Sequence, residues 1–589
     1  QTWAPNMALT KERLQADWVV DWLRDPQAIM PGTKMPAFRL SEQQNNAISA
    51  FIWQSGVNGK LPKQPSGNSV RGQELLETRG CLGCHAIGEG DLEQGGVFAA
   101  NLSRVGEKDH YNYLVRWIHN PRKRTRPYCA FEKRDLGPED YAKHGLPFVF
   151  DLENSVCPND GHELQVQQMT VMPNLRLTLQ EARDVASYLM SLKREPGILK
   201  EAYPKVDYLD DPQLKEEGRA LVQHFGCAGC HEIAGFEEEQ RIGTELTKEG
   251  SKPIERLDFA LLTHDAEHEG WYNHKGFFER KLENPAIFDQ GKIKAPMEKL
   301  RMPDFKLEPE EITAVTTFLL GSVDSTLPSH FFFEPDTRSQ DIRDGWWLVK
   351  KYNCMGCHQI QPGQDSILSG MERYQGDGKE KLPPTLVGEG ARVSPEWLAG
   401  FLKNPAMHPT NNARNGVREY LQIRMPTFYL SDGEIRKIVR FFESLASQNR
   451  PYIPTEMEPL SKQEREMARG LFTSKAAPCL RCHATGNPSH DRNATAPNFL
   501  LAKERLKPGW TERWMVMPEM MAPGTSMPSG LFRREGDRWV FAGPLPAAFR
   551  NYPKDHAELL VRYMFQLTSA EQRRLISRLP AGATKVAGR

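Results

Sequence analysis

"CLGCH" at residues 81–85 places two cysteines three positions apart, with a histidine directly behind them. That pattern suits half of a zinc site, a redox dithiol or a covalent haem attachment, and each asks different things of the rest of the chain. The pentapeptide returns as CAGCH at 227–231, CMGCH at 354–358 and CLRCH at 479–483, so eight of the ten cysteines serve one repeated pattern. Successive copies begin 146, 127 and 125 residues apart, a domain-sized period.

Outward from each copy, a glycine stands nine residues before the first cysteine: Gly72, Gly218, Gly345 and Gly470. Each leads a short amphipathic run, such as GQELLETRG at 72–80, that predicts a helix entering the motif. Downstream, Met-Pro segments at 172–189, 302–320 and 425–442 align without gaps. Six residues past the Met comes a helix-start residue (Thr178, Glu308, Ser431), and three further on a Glu (Glu181, Glu311, Glu434). That is a capping box, with Glu308 a poorer cap than Ser or Thr. An aromatic follows sixteen residues after each Met: Tyr188, Phe318 and Phe441. Between motif and Met lies an aromatic-rich helix closed by proline, as in LVRWIHNP at 114–121. The fourth period departs, because an insertion after Met527 delays its last helix to Asp555, with Glu558 and Phe565 keeping the cap and the aromatic.

The 589 residues are 39% hydrophobic and 26% charged, with 76 basic and 76 acidic side chains. This suits several soluble domains and gives net charge no role in attracting nucleic acid. No run of about 18 apolar residues is present to span a bilayer, and the polar opening at Gln1 reads as a chain whose leader has been removed or whose sequence starts late.

Zinc would need two cysteine pairs, or a pair and nearby histidines, converging in one knuckle. Here each pair is alone in its period. A dithiol needs neither the trailing histidine nor a Met far downstream. Covalent haem uses all of them: two thiols on one face of a turn for the vinyl groups, and the histidine beneath the iron. The candidate attachment residues are Cys81, Cys84, Cys227, Cys230, Cys354, Cys357, Cys479 and Cys482.

Each period resembles a class I cytochrome c domain, and the chain is similar to a tandem multihaem cytochrome c. The resemblance covers nearly all of the chain apart from insertions and the last twenty residues. It implies an all-α fold in which first and last helices cross over a covalently bound haem, with Gly72, Gly218, Gly345 and Gly470 letting them approach and Tyr188, Phe318, Phe441 and Phe565 packing over them. The domains expected are 71–196, 213–322, 341–448 and 463–568, followed by a tail at 569–589. Four haems c are implied, with His85, His231, His358 and His483 as proximal ligands and Met172, Met302, Met425 and Met527 opposite them. Met169, Met297, Met517, Met520 and Met521 are rivals outside the shared Met-Pro frame, and Met527 is the ligand whose register is broken. His264, His268 and His274 sit together in an insertion and read as surface residues rather than a metal site. Cys129 and Cys157 are left over, and a disulfide between them is expected, since haem c resembles proteins matured outside the cytoplasm.

A closed His/Met iron has no position for substrate and a raised potential, so the expected role is electron transfer without a catalytic residue. The expected partners are other redox proteins, a membrane respiratory or photosynthetic complex among them, on the outer side of the cytoplasmic membrane. The competing readings are a peroxidase-like enzyme with one open haem, for which the fourth period is the candidate, and a structural subunit of a larger complex or filament.

Residues 1–57 repeat the second half of the pattern without a motif. They hold an aromatic helix closed by Pro26, then Met35, the capping pair Ser41 and Gln44, and Phe51. PNM at 5–7 also matches PNF at 497–499. The expectation is that Met35 ligates a fifth haem whose CxxCH lies outside these residues, in missing sequence or on a neighbouring subunit. The alternative is a haem-free remnant.

Overall fold

The computed structural model of the protein describes residues 5, 7, 10–30, 33–56, 61–121, 128–146, 156–164, 170–193, 206–231, 233, 235–236, 243–324, 336–446, 457–473, 479–487, 491 and 494–577. Helices dominate. In chain order the longer ones are α1 (Ala16–Arg24), α2 (Glu42–Ser55), α3 (Ser69–Thr78), α4 (Tyr111–His119), α5 (Leu179–Ser191), α6 (Pro212–Phe225), α7 (His274–Glu283), α8 (Pro309–Gly321), α9 (Thr337–Lys351), α10 (Pro395–Lys403), α11 (Asp432–Leu445), α12 (Lys462–Phe472), α13 (Pro508–Val516) and α14 (His556–Gln566). Among the described residues the strands form only small hairpins: β1 (Ala86–Ile87) with β2 (Gln94–Gly95), β3 (Tyr128–Cys129) with β4 (Arg134–Asp135), and β5 (Phe532–Glu535) with β6 (Arg538–Phe541). The mostly helical class expected from the sequence is what forms.

Three pairs of helices cross through glycine: α3 on α5, α6 on α2 and α9 on α11. A Cβ built on Gly72 would stand 1.9 Å from the Asp184 carbonyl oxygen, one on Gly218 2.0 Å from that of Ala47, and one on Gly345 2.1 Å from Phe441 Cβ. Any larger residue would push the helices apart. The receiving helices start as their sequences predict. Ser41, Thr178 and Ser431 each cap the N–H three residues on, and Gln44, Glu181 and Glu434 return the bond. At α8 Glu311 returns to the Glu308 N–H, while the Glu308 side chain caps nothing.

The pairing of α6 with α2 divides the unit expected over 213–322. Its first helix and motif join residues 1–57, and α7 and α8 are left as a half without such a helix. The repeat itself explains why sequence did not settle this. Ala47 and Phe51 on α2 occupy the same register as Ala314 and Phe318 on α8, so either helix offers the face that a glycine-led helix requires. Phe318, expected to pack over a glycine, is 73% exposed. The close approach expected at Gly470 is also not made, since nothing lies within 4 Å of where its Cβ would be. There α12 meets α14 through larger side chains, with Phe472 edge-on to Tyr563 at 5.6 Å.

The five Met-Pro halves, named here by their methionine, stand in a row with two alternating joints. The first joint pairs backbone two residues past the methionine: Ala37 with Asp304, and Asn174 with Thr427, both antiparallel. The second pairs the residue four before the ring that stands eight residues ahead of the closing proline (Trp18, Tyr113, Trp397, Trp510): Leu14 with Asp109, and Val393 with Leu506. The order in space is therefore 302, 35, 172, 425, 527, which is not chain order. Each second joint carries reciprocal cation–ring contacts. Lys108 lies over Trp18 at 5.1 Å and Arg13 over Tyr113 at 5.5 Å; Arg392 lies over Trp510 at 5.6 Å and Arg505 over Trp397 at 5.2 Å.

Insertions close the row. In the 302-half, Tyr272 stands where the other halves carry the cation, and it packs into an aromatic cluster with Phe259, Trp271, Phe277 and Phe288. At the far end β5 and β6 follow Met527 almost directly.

Candidate haem centres

Each motif folds as a tight turn of 3₁₀ or α type at the end of its incoming helix or just beyond it: Cys81–Gly83, Cys227–Gly229, Cys354–Cys357 and Cys479–Cys482. The histidine N–H of each turn bonds back to the first cysteine's carbonyl. One further contact recurs in all four. The Nδ1 atom of His85 lies 2.7 Å from the Ala100 carbonyl oxygen, that of His231 2.9 Å from Pro5, that of His358 2.7 Å from Pro384 and that of His483 2.7 Å from Pro497. A carbonyl can only accept, so Nδ1 carries the proton and Nε2 keeps its lone pair for a metal. Burial lowers the pKa of all four imidazoles against the opposing pull of the carbonyl, that of His483 to about 4, so each is neutral near pH 7. Burial also pushes the Cys81, Cys227, Cys354 and Cys479 thiols up to about 12.

The residues whose carbonyls accept this bond were not predicted as functional residues. Their one signal was the match of PNM at 5–7 to PNF at 497–499, and the structure gives it a meaning: Pro5 and Pro497 do the same work for His231 and His483. It also corrects the expectation for Met35. Rather than serving a motif outside these residues, Met35 packs in the cluster that holds Cys227 and Ala228, where Trp22 Nε1 donates to its sulfur at 2.9 Å. Met302 is not in that cluster.

The 172- and 425-halves bring two motifs together. A cavity of about 840 Å³ is lined on one side by Cys81, Cys84, His85 and Met172, and on the other by Cys354, Cys357, His358 and Met425. The motif turns touch across the joint: a Cβ on Gly83 would lie 2.8 Å from Cys357 Sγ, and one on Gly356 2.1 Å from the Gly83 carbonyl oxygen. Asn353 Nδ2 donates to that carbonyl at 3.1 Å. The walls are mostly apolar, with Leu102, Ile118, Leu175, Phe401, Ile438 and Phe442 among them. Arg79, Arg418 and Arg505 also line the space, and the buried Nε of each has no hydrogen-bond partner. An apolar disc with carboxylate arms is the group these walls fit. It would cover the apolar faces and give the arginines their missing acceptors.

The fourth centre is less regular. Met527 is partly buried with its N–H bonded to Thr525 Oγ1, as the Met35 and Met172 N–H groups bond to Thr33 and Thr170. Yet Met517, not Met527, belongs to the hydrophobic cluster that includes Cys479. Met520 is 72% exposed, and Met169 lies outside the described residues. His264, His268 and His274 form no ligand group among the described residues, and His274 is turned to the Lys252 carbonyl.

The disulfide expected between Cys129 and Cys157 is not formed: both are buried free thiols. Each faces a carboxylate instead, Cys129 Sγ lying 3.3 Å from Asp160 Oδ2 and Cys157 Sγ 4.0 Å from Glu132 Oε1. No described helix is long and apolar enough to cross a membrane.

Comparison with known proteins bears on these motifs over part of the chain. A stretch of 82 residues, 14% of this chain, is 34% identical to the cbb3-type cytochrome c oxidase subunit CcoP of two Helicobacter pylori strains, and a third such subunit is 30% identical over the same length. The match spans 28% of those relatives' own length. No family model matches the chain, and no solved structure matches it. Over that stretch the likeness supports c-type cytochrome character.

Proposed function

We propose that the protein is a multihaem electron carrier built as a row of class I cytochrome c modules. The observation that carries this is the fourfold repetition of one ligand arrangement: a CxxCH turn whose half-buried histidine donates its Nδ1 proton to a backbone carbonyl. The modules we assign are 1–57 joined with 206–236, then 61–193, 336–446 and 457–577. His85 with Met172 and His358 with Met425 would hold two haems in the shared cavity, His231 with Met35 a third, and His483 with Met527 a fourth. Haem c, when bound, supplies one-electron exchange at high potential under His/Met ligation.

The protein's residues do the rest. The paired cysteines fix each porphyrin, the carbonyls fix the imidazole tautomer, and the apolar walls keep water from the iron. Gly83 and Gly356 bring two centres together, and the alternating joints set the order in which neighbours exchange electrons. The partners we infer are a membrane respiratory complex and a second redox protein, on the outer face of the cytoplasmic membrane. Mass measurement of the intact native protein tests the core of this: four haem additions are expected, one on each motif peptide. Unmodified cysteines at any of the four motifs would refute it.

A further inference from the structure

We propose that the 302-half is a docking site for a haem-bearing polypeptide segment from outside residues 1–589, whose glycine-led helix covers α8 and whose iron takes Met302 as ligand. This rests on the haem reading above. Three observations carry it. The first is a count: the chain has five halves and four motifs, and all four motifs are seated. A second copy brings the same five and four, so exchange between copies still leaves one half open in each.

The second is register. Ala314 and Phe318 on α8 match Ala47 and Phe51, Asp184 and Tyr188, and Lys437 and Phe441, the residues that receive Gly218, Gly72 and Gly345. Phe51 and Phe441 are 2% and 1% exposed, whereas Phe318 is 73% exposed, with Val315 at 37% and Leu320 at 36% beside it. The half is otherwise built like its siblings. A Cβ on Gly250 would meet the Leu319 carbonyl oxygen at 2.5 Å, as one on Gly106 meets that of Met190 at 2.6 Å and one on Gly390 that of Phe442 at 2.1 Å. Among the described residues only the cover is lacking.

The third lies across the joint. The 302- and 35-halves meet as the 172- and 425-halves do, through the bridge two residues past methionine. At the complete joint Gly83 and Gly356, each just before the second cysteine, touch. At the other, the same glycine, Gly229, has nothing within 4 Å, and Cys230 beside it is exposed. The incoming motif turn seats there, and the fit calls for a glycine before its second cysteine too.

Photo-crosslinking in the native assembly tests this, with Phe318→p-benzoylphenylalanine and, should that variant misfold, Val315→p-benzoylphenylalanine. The expected product is a peptide that carries haem and a CxGCH sequence absent from residues 1–589. A haem-free peptide, a peptide of this chain such as 212–231, or no crosslink overturns the proposal. The same digest reports haem on the four internal motifs: if they lack it, the haem reading fails; if they carry it, only the docking proposal does.

A second inference is independent of haem. The structure assigns a zinc site to Cys129, Glu132, Cys157 and Asp160, whose ligand atoms all lie within 4.8 Å of one another. The four come as two turns of one form, a cysteine with a carboxylate three residues on. In each turn backbone N–H groups point at the sulfur: Glu132 N donates to Cys129 Sγ at 3.4 Å, and Asn159 and Asp160 donate to Cys157. The outer oxygens are fastened elsewhere. Arg134 holds Glu132 Oε2 at 2.6 Å and the His162 N–H holds Asp160 Oδ1 at 2.8 Å, so the other two oxygens face the thiols, Glu132 Oε1 also accepting from Asn159 Nδ2 at 3.0 Å. Two thiols and two carboxylates at this spacing suit tetrahedral zinc. Among the described residues the core beneath these turns is Cys129, Leu136, Tyr141, Cys157 and Leu164, to which a metal crosslink would add. Elemental analysis of the native holoprotein is expected to find one zinc per chain beyond the haem iron, lost in Cys157→Ser with the haem count unchanged. A Cys129–Cys157 disulfide in unreduced peptide maps, or zinc-free protein whose two thiols alkylate readily, overturns the assignment.

Discussion

At the scale of single residues, the histidine tautomer and the methionine opposite it set what each iron would do. Met425 faces the same cavity as His358 and Met172. Replacing Met425 with His exchanges a thioether for an imidazole, which favours the ferric state. Redox titration of M425H should show one step moved to lower potential and the others nearly unchanged; a shift of every step, or of none, would remove Met425 from the ligand set. A second prediction concerns Glu434. Burial pushes its carboxyl up, but bonds from Lys351, the Ser431 N–H and the Tyr352 hydroxyl outweigh this and hold it at about 2. A carboxyl lowered from 4.5 on folding contributes stability that is complete above that value and lost as pH falls toward 2. E434Q should therefore cost on the order of 1–2 kcal/mol at pH 7, after allowance for solvent screening, and match the wild type near pH 2 in acid-unfolding curves.

At the scale of elements, the sequence disclosed a good deal, because local rules and global fold agree there. Caps at Ser41, Thr178 and Ser431, and helices led by Gly72, Gly218 and Gly345, all form as their spacing predicts. The sequence could not disclose which receiving helix takes α6, since α2 and α8 offer matching faces and chain proximity favours the wrong one. Nor could it reveal the carbonyl beneath each imidazole, a backbone group that any residue supplies, as Ala100 does. The Cys129–Cys157 pairing misled because two leftover cysteines in one insertion read as a bond, while the carboxylate three residues after each goes unnoticed. The crossing of α6 and α2 gives the third prediction. Gly218→Val places methyl groups against the Ala47 backbone, and overpacking of this kind costs about 1–3 kcal/mol. Hydrogen exchange should then accelerate in both 42–55 and 212–225 while 69–78 and 179–191 keep their protection. Faster exchange in 309–321 instead would mean that α6 belongs to α8.

At the scale of the whole molecule, two joints and two capped ends define a finite row. Its least regular member is terminal: the 527-half, where Met517 rather than Met527 packs with Cys479. An iron without a firm sixth ligand binds carbon monoxide when reduced, and a peroxidase-like reading needs such an iron. The fourth prediction is that reduced wild-type protein gives no carbon monoxide spectrum, whereas Met527→Ala gives one equivalent to a single haem. Carbon monoxide binding by the wild type would move the fourth centre from electron transfer to catalysis.

The difference between the row and the chain order also has a consequence in time. Of the five halves the 35-half is made before the others, but the helix that covers it, α6, begins 157 residues after α2 ends. At roughly 5–20 residues per second, that is about 8–30 s during which Ala47 and Phe51 lack the helix that packs on them. The complete 61–193 module emerges in that interval. The half made before the other four is thus among the later ones to fold, and a nascent chain halted between 193 and 212 would still expose the face of α2 that α6 covers.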